Sequence, residues 1–246
     1  MTAAPPRTSE LGLAPRRAHA PRHPSRRADD HRSRRTLLVT LGLLAVVGLV
    51  ALRGFLFGSF LVPSASMAPT IEPGDRIMVE RLVEDDSLRR GDVIVFDGTE
   101  GFASSTVSPH RSDDAWTRLS TGVAAALGID TGERDYVKRL VGLPGDRVRC
   151  CTPDGHLTVN GVPLRERYLP PGDAPSEVAF DVVVPPERLW VMGDNRDSSG
   201  DSRAHLGAPS GGMVHVDNLV GRAALTYWPL WRVSRFTTPP AFHAGP

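Results

Sequence analysis

Two serines one residue apart, Ser64 and Ser66, and a single lysine, Lys138, are the side chains of this sequence best suited to nucleophilic catalysis. A serine hydroxyl is a poor nucleophile until a base takes its proton. Histidine usually serves, and His110, His156, His205 and His215 are available. Only His205 lies near a polar stretch, and its neighbours Ala204, Leu206 and Gly207 read as ordinary loop. A lysine does the same work when shielded from water, because unlike arginine it can lose its proton near neutral pH. Bringing it from about 10.4 down to about 8 costs roughly 3 kcal/mol, which burial can supply. The bland alternative is a composition biased to arginine with one stray lysine. A third candidate is the polar run at 193–203, with Asp194, Asp197 and Asp201, Arg196 and Arg203, and Ser198, Ser199 and Ser202. By charge pattern alone a solvated loop is its simpler reading; buried, it would be an ion-pair network.

These groups sit in a chain of 246 residues, enough for one or two domains with a substantial core. Residues 1–35 carry nine arginines against Glu10, Asp29 and Asp30, a net of +6, so with +1 overall the remainder carries −5. A basic head on a mildly acidic body argues against nucleic acid as a partner, since the positive charge would then sit on the folded part. The head is rich in Pro, Arg, Ala and Ser, which predicts a disordered, cytoplasmic tail. The only cysteines, Cys150 and Cys151, are adjacent and cannot staple a loop; a vicinal disulfide and a buried pair both remain open. No His or Cys cluster has metal-ligand spacing, and neither metal nor cofactor is expected.

The elements that must position the candidates begin with an apolar run from Thr36 to Leu52 that resumes after Arg53 and continues to Val62. About 20 apolar residues span a bilayer, and the arginines ahead of the run keep the head in the cytoplasm. The expected topology is single-pass type II in the cell membrane, with a transmembrane helix over 36–58 and the body outside. A cleavable signal peptide would have a shorter head and a shorter apolar core. A twin-arginine export signal at Arg34-Arg35 arises easily by chance in so arginine-rich a head.

Beyond the membrane run the pattern is turn and strand. Residues 76–81 alternate like a half-buried strand, and 93–96 form a continuous apolar one. Strands follow at 136–141, 147–151, 178–184, 187–192 and 219–226, and Asn160-Gly161 marks a hairpin turn. The expectation is a mainly antiparallel β catalytic body over 59–236, with a β-rich subdomain at about 150–186 and a C-terminal tail at 237–246. Residues 97–134 interrupt the pattern as an insertion with one helix, read as packing.

Residues 63–70 (PSASMAPT), 136–146 (YVKRLVGLPGD) and 193–203 (GDNRDSSGDSR) together resemble bacterial type I signal peptidases, or leader peptidases, of the actinobacterial kind. The turns at Gly74-Asp75 and Arg90-Gly91-Asp92 match the family's remaining motif. The resemblance runs in the family's order from about residue 36 to 231; the head and the 97–134 insertion lie outside it. Ser198, where asparagine is common, and an insertion at 207–212 are departures that touch loop length rather than catalytic positions.

The resemblance implies roles. Ser66 takes the place of the nucleophile and Lys138 of the general base. Ser64 joins the Ser66 N–H in the oxyanion hole. Ser199 matches the serine that orients the lysine. Asp201 with Arg203, and Asp194 with Arg139, match supporting ion pairs, and Gly193 a position with no room for a side chain. Pro63, Asp135, Tyr136 and Val137 would bind the substrate as an added strand. The implied activity is removal of signal peptides from exported preproteins after small residues, beside the lipid bilayer and in proximity to the preprotein translocation machinery. A Ser-Lys peptidase dedicated to itself or one partner, and an inactive membrane-anchored β scaffold, are the alternatives.

Overall fold

The computed structural model describes residues 26–99, 101–102, 129–130 and 135–242, and the helix expected within 97–134 falls outside them. The chain divides into two units, Met1–Val46 and Val47–Pro246. Helix α1 spans Arg26–Leu56. Its stretch Arg34–Gly54 is 21 residues long and apolar enough to cross a membrane, about 30 Å at 1.5 Å per residue. Leu38 and Val39 are 68% and 69% exposed. Both ends differ from the expected 36–58. The helix starts earlier because no Pro or Gly separates Arg26 from Thr36. It stops earlier because Phe57–Leu61 form a strand instead. That segment, with Phe57 and Phe60, has β-forming residues and a partner strand for its backbone.

The body is antiparallel β, as the turn–strand alternation predicts. In chain order its strands are β1 (Phe57–Leu61), β2 (Arg76–Glu80), β3 (Val93–Asp97), β4 (Ile129–Asp130), β5 (Asp135–Gly142), β6 (Arg147–Cys150), β7 (Thr158–Val159), β8 (Val162–Pro163), β9 (Phe180–Val183), β10 (Arg188–Met192), β11 (Val214–His215), β12 (Leu219–Trp228) and β13 (Ser234–Arg235). The larger sheet has the order β11-β10-β5-β3-β12-β2-β1-β4, with β13 on β12. Among the described residues, only the short β1–β4 contact is parallel within it. A separate four-stranded sheet has the order β8-β7-β6-β9.

The continuous apolar run of β3 is explained by burial on both faces. Val93 and Val95 join a core with Met67, Ile71, Ile77 and Val79, while Ile94 and Phe96 join another with Leu140 and Val191. A third core, around Val148, Leu157, Phe180 and Trp190, includes Cys150. The two cysteines are joined as a vicinal disulfide. The β7–β8 hairpin turns at Asn160 and Gly161, with φ of 51° and 82°, the left-handed pair that an Asn-Gly turn supplies.

Candidate active site

Ser66 lies in the turn that follows β1. The turn is closed by backbone bonds from Ala68 N to Ala65 O and from Ile71 N to Met67 O. Met67 and Ile71 are fully buried in the core beneath it. An apolar residue next to the serine therefore anchors the turn and leaves the hydroxyl aimed across at β5.

Lys138 comes from β5 and is 3% exposed. Its Nζ donates to Ser66 Oγ at 2.8 Å and to the Val137 carbonyl at 3.1 Å. Burial lowers its pKa to about 8, against the opposing pull of the Asp201 and Asp194 charges. Desolvation disfavours the ammonium, so this group can exist as a free amine near neutral pH. Ser64 is exposed, with its Oγ 3.3 Å from Ser66 Oγ.

In loop 193–203, Asp194, Arg196, Asp201 and Ser202 are buried, while Asp197, Ser198 and Gly200 are exposed. Asp194 has no exposure; it accepts from Arg139 Nε at 2.7 Å and Nη2 at 2.5 Å, and from Thr70 Oγ1 at 2.5 Å. One carboxylate thus ties β5, beside Lys138, to the turn that carries Ser66. Asp201 accepts from Arg203 at 2.9 and 2.8 Å and from the Gly193 N–H at 2.9 Å. Burial pushes the Asp201 carboxyl up, but the Arg203 guanidinium and the Gly193 N–H together hold it below the usual range.

Ser199 itself is less engaged than its expected role implies. Its Oγ is buried and has no hydrogen-bond partner among the described residues, while Lys138 Nζ bonds to Ser66 and Val137. A Cβ on Gly193 would run into this Oγ and into the Ser66 carbonyl, which explains a glycine there. The Asn195 N–H also donates to that carbonyl, at 3.1 Å.

Tyr136 and Val137 pair with β3, as Phe96 and Val95 partners. On the other side β10 pairs with β5 only from Arg139 onward, so Tyr136–Lys138 present an edge with no strand partner among the described residues. Asp135 starts β5, and Pro63 lies exposed between β1 and Ser64. A cavity of about 740 Å³ lies elsewhere, against Met78, Glu80, Asp92, Arg222 and Phe236. None of the candidate catalytic groups lines it, and an extended peptide needs a sheet edge rather than a cavity. Among the described residues no group of three His, Cys, Asp or Glu side chains is placed to hold a metal ion.

Sequence reasoning gave no role to Thr70, Arg196, Glu166 or Tyr168. Thr70 and Arg196 stood within quoted motifs and were the available signals. Nothing in the order of residues points from Arg196 to position 166.

A serine in the turn after β1 thus meets a buried lysine on β5, an arrangement suited to hydrolysis. The family model for signal peptidase, peptidase S26, matches residues 34–228. Signal peptidase I of Mycobacterium tuberculosis is 36% identical over 84% of this chain and 79% of its own length. Those of Bacillus caldolyticus and Leptolyngbya laminosa are 33% and 31% identical, over 76% and 82% of this chain and 87% and 84% of their own. A crystal structure of a signal peptidase I from Enterococcus faecalis, 24% identical, covers 55% of this chain and 95% of that one at a TM-score of 0.34. The chain belongs to the signal peptidase family, peptidase S26. It is an enzyme of the signal peptidase I kind, a protease that processes signal peptides.

Proposed function

We propose that this protein is a membrane-anchored serine endopeptidase that cuts signal peptides from exported preproteins with a Ser66–Lys138 dyad. The observation that carries this reading is the 2.8 Å bond from Lys138 Nζ to Ser66 Oγ, with the lysine buried and its pKa lowered to about 8. The substrate adds as a strand on the open edge of Tyr136–Lys138, across from the segment leading to Ser66. Pro63, Asp135, Tyr136 and Val137 line its path, and shallow pockets admit small side chains at the first and third residues before the cut.

The neutral amine of Lys138 takes the Ser66 proton as Oγ attacks the scissile carbonyl. The Ser66 N–H and Ser64 hydroxyl hold the oxyanion. The lysine ammonium then passes its proton to the leaving amine; the restored amine deprotonates the water that attacks the acyl-enzyme and hands that proton to Ser66 Oγ as the acyl group leaves as a carboxylic acid. Ser199 and Gly193 shape the lysine's surroundings, backed by the Asp201–Arg203 and Asp194–Arg139 pairs.

Residues 34–54 are the anchor, with the arginine-rich head in the cytoplasm and the catalytic unit outside. Apolar exposure supports a bilayer as partner. Leu61 and Trp228 flank Arg76 in register across adjacent strands. They are 53% and 48% exposed, and Leu230, Trp231 and Val233 that follow are more so. Exposed Trp and Leu suit the membrane–water interface. Cutting there places the enzyme near the translocation machinery that delivers preproteins.

The test is purified full-length protein in detergent with a preprotein. Ser66→Ala and Lys138→Arg are expected to fold and to cleave nothing; normal cleavage by Lys138→Arg overturns the dyad. In spheroplasts, added protease should digest the body without lysis; digestion only after lysis overturns the topology.

A further inference from the structure

The segment between β8 and β9 belongs in sequence to the four-stranded sheet, yet its Glu166 and Tyr168 side chains meet Arg196 of the 193–203 loop. The Arg196 side chain is 1% exposed and that of Glu166 2%. Arg196 Nη2 donates to Glu166 Oε1 at 2.5 Å and Nη1 to the Pro175 carbonyl at 2.7 Å, while Nε donates to the Gly193 carbonyl at 2.9 Å. The Gly193 peptide is therefore held at both ends, N–H by Asp201 and C=O by Arg196. Tyr168 adds a second hold. Its hydroxyl donates to Glu166 Oε1 at 2.7 Å, and its ring lies 4.4 Å from the Arg139 guanidinium carbon. Arg139 is thus gripped in plane by Asp194 and across its face by an aromatic ring, a cation–π contact.

The four residues link two catalytic neighbours. Arg139 directly follows Lys138, and Gly193 lies against the Ser66 carbonyl. A buried ion pair seldom adds stability over a well-packed apolar pair, so stability alone does not explain Glu166–Arg196. Its geometry does, because only a guanidinium fork reaches a carboxylate and two carbonyls from one side chain.

We infer that Glu166 and Tyr168 are positioning residues for the dyad, acting through Arg196 on Gly193 and through Arg139 on Lys138. The inference rests on the Ser66–Lys138 reading above. It makes the connection between β8 and β9 a working part of the active site.

The test uses full-length protein in detergent and a preprotein. The double variant Glu166→Leu/Arg196→Met removes both buried charges, so its thermal midpoint should stay near wild type. Its kcat should fall about 10–100-fold, the cost of a small misplacement, with KM within about twofold. Tyr168→Leu should lower kcat in the same way, and Tyr168→Phe should recover most of that loss by restoring the ring over Arg139. Wild-type kcat in the double variant, or equal kcat for the two Tyr168 variants, overturns the proposal. Where the double variant does not fold, the Tyr168 pair decides. Cleavage by Ser66→Ala would instead sink the dyad reading on which the proposal stands.

Discussion

Lys138 donates to Ser66 Oγ over 2.8 Å while both residues are nearly buried, at 3% and 7% exposure. Burial lowers the lysine pKa to about 8, so at pH 7 about a tenth of it is the free amine. The rate of preprotein cleavage should climb about tenfold per pH unit below 8 and level off above it. A flat profile between pH 6 and 9 would be inconsistent with lysine as the base.

The same burial makes a prediction about stability. Below about pH 8 the lysine is protonated in both folded and unfolded chain, and the folded state carries a cost of about 3 kcal/mol. Between 8 and 10.5 only the unfolded chain keeps the proton, so the cost shrinks as pH rises. Lys138→Met should therefore unfold at higher denaturant than wild type at pH 7, and the gap should narrow toward pH 10.5.

Ser64 stands beside the nucleophile, its Oγ 3.3 Å from that of Ser66. If it completes the oxyanion hole, Ser64→Ala should lower kcat about 10²–10³-fold with little change in KM, measured by steady-state cleavage.

Gly193 has no space for a methyl group, since a Cβ would meet Ser199 and the Ser66 carbonyl. Gly193→Ala should destabilise the protein by about 1–3 kcal/mol and reduce kcat, because the backbone that must give way carries the nucleophile. Thermal unfolding and single-turnover cleavage together check both effects.

Asp194 neutralises Arg139 and accepts from Thr70. Asp194→Asn leaves a buried guanidinium without its counter-charge, a loss of about 3–5 kcal/mol. Denaturant unfolding should show it, whereas neutralising the exposed Arg147–Asp181 pair should leave the midpoint nearly unchanged.

Much of this protein is legible in the order of its residues. Alternation at 76–80 and the unbroken run at 93–96 become β2 and β3, because side chains on a strand alternate between faces. Asn160-Gly161 turns the hairpin for a local reason, the left-handed backbone those residues tolerate. Ser66, Lys138 and the 193–203 loop stand out by type and motif alone. The limits of α1 were less legible, since an apolar run reads alike as helix or strand until a partner strand, here β2, takes up its backbone.

Tertiary structure alone decided the rest. A lysine's pKa depends on the water excluded around it, and the atoms that exclude it from Lys138 come from distant segments. Charge order could not say which carboxylate meets which guanidinium. Arg196 passes over Asp194, Asp197 and Asp201, all within five residues, and pairs with Glu166, thirty residues away. That choice is made by the docking of one sheet against another, a contact that no local pattern encodes.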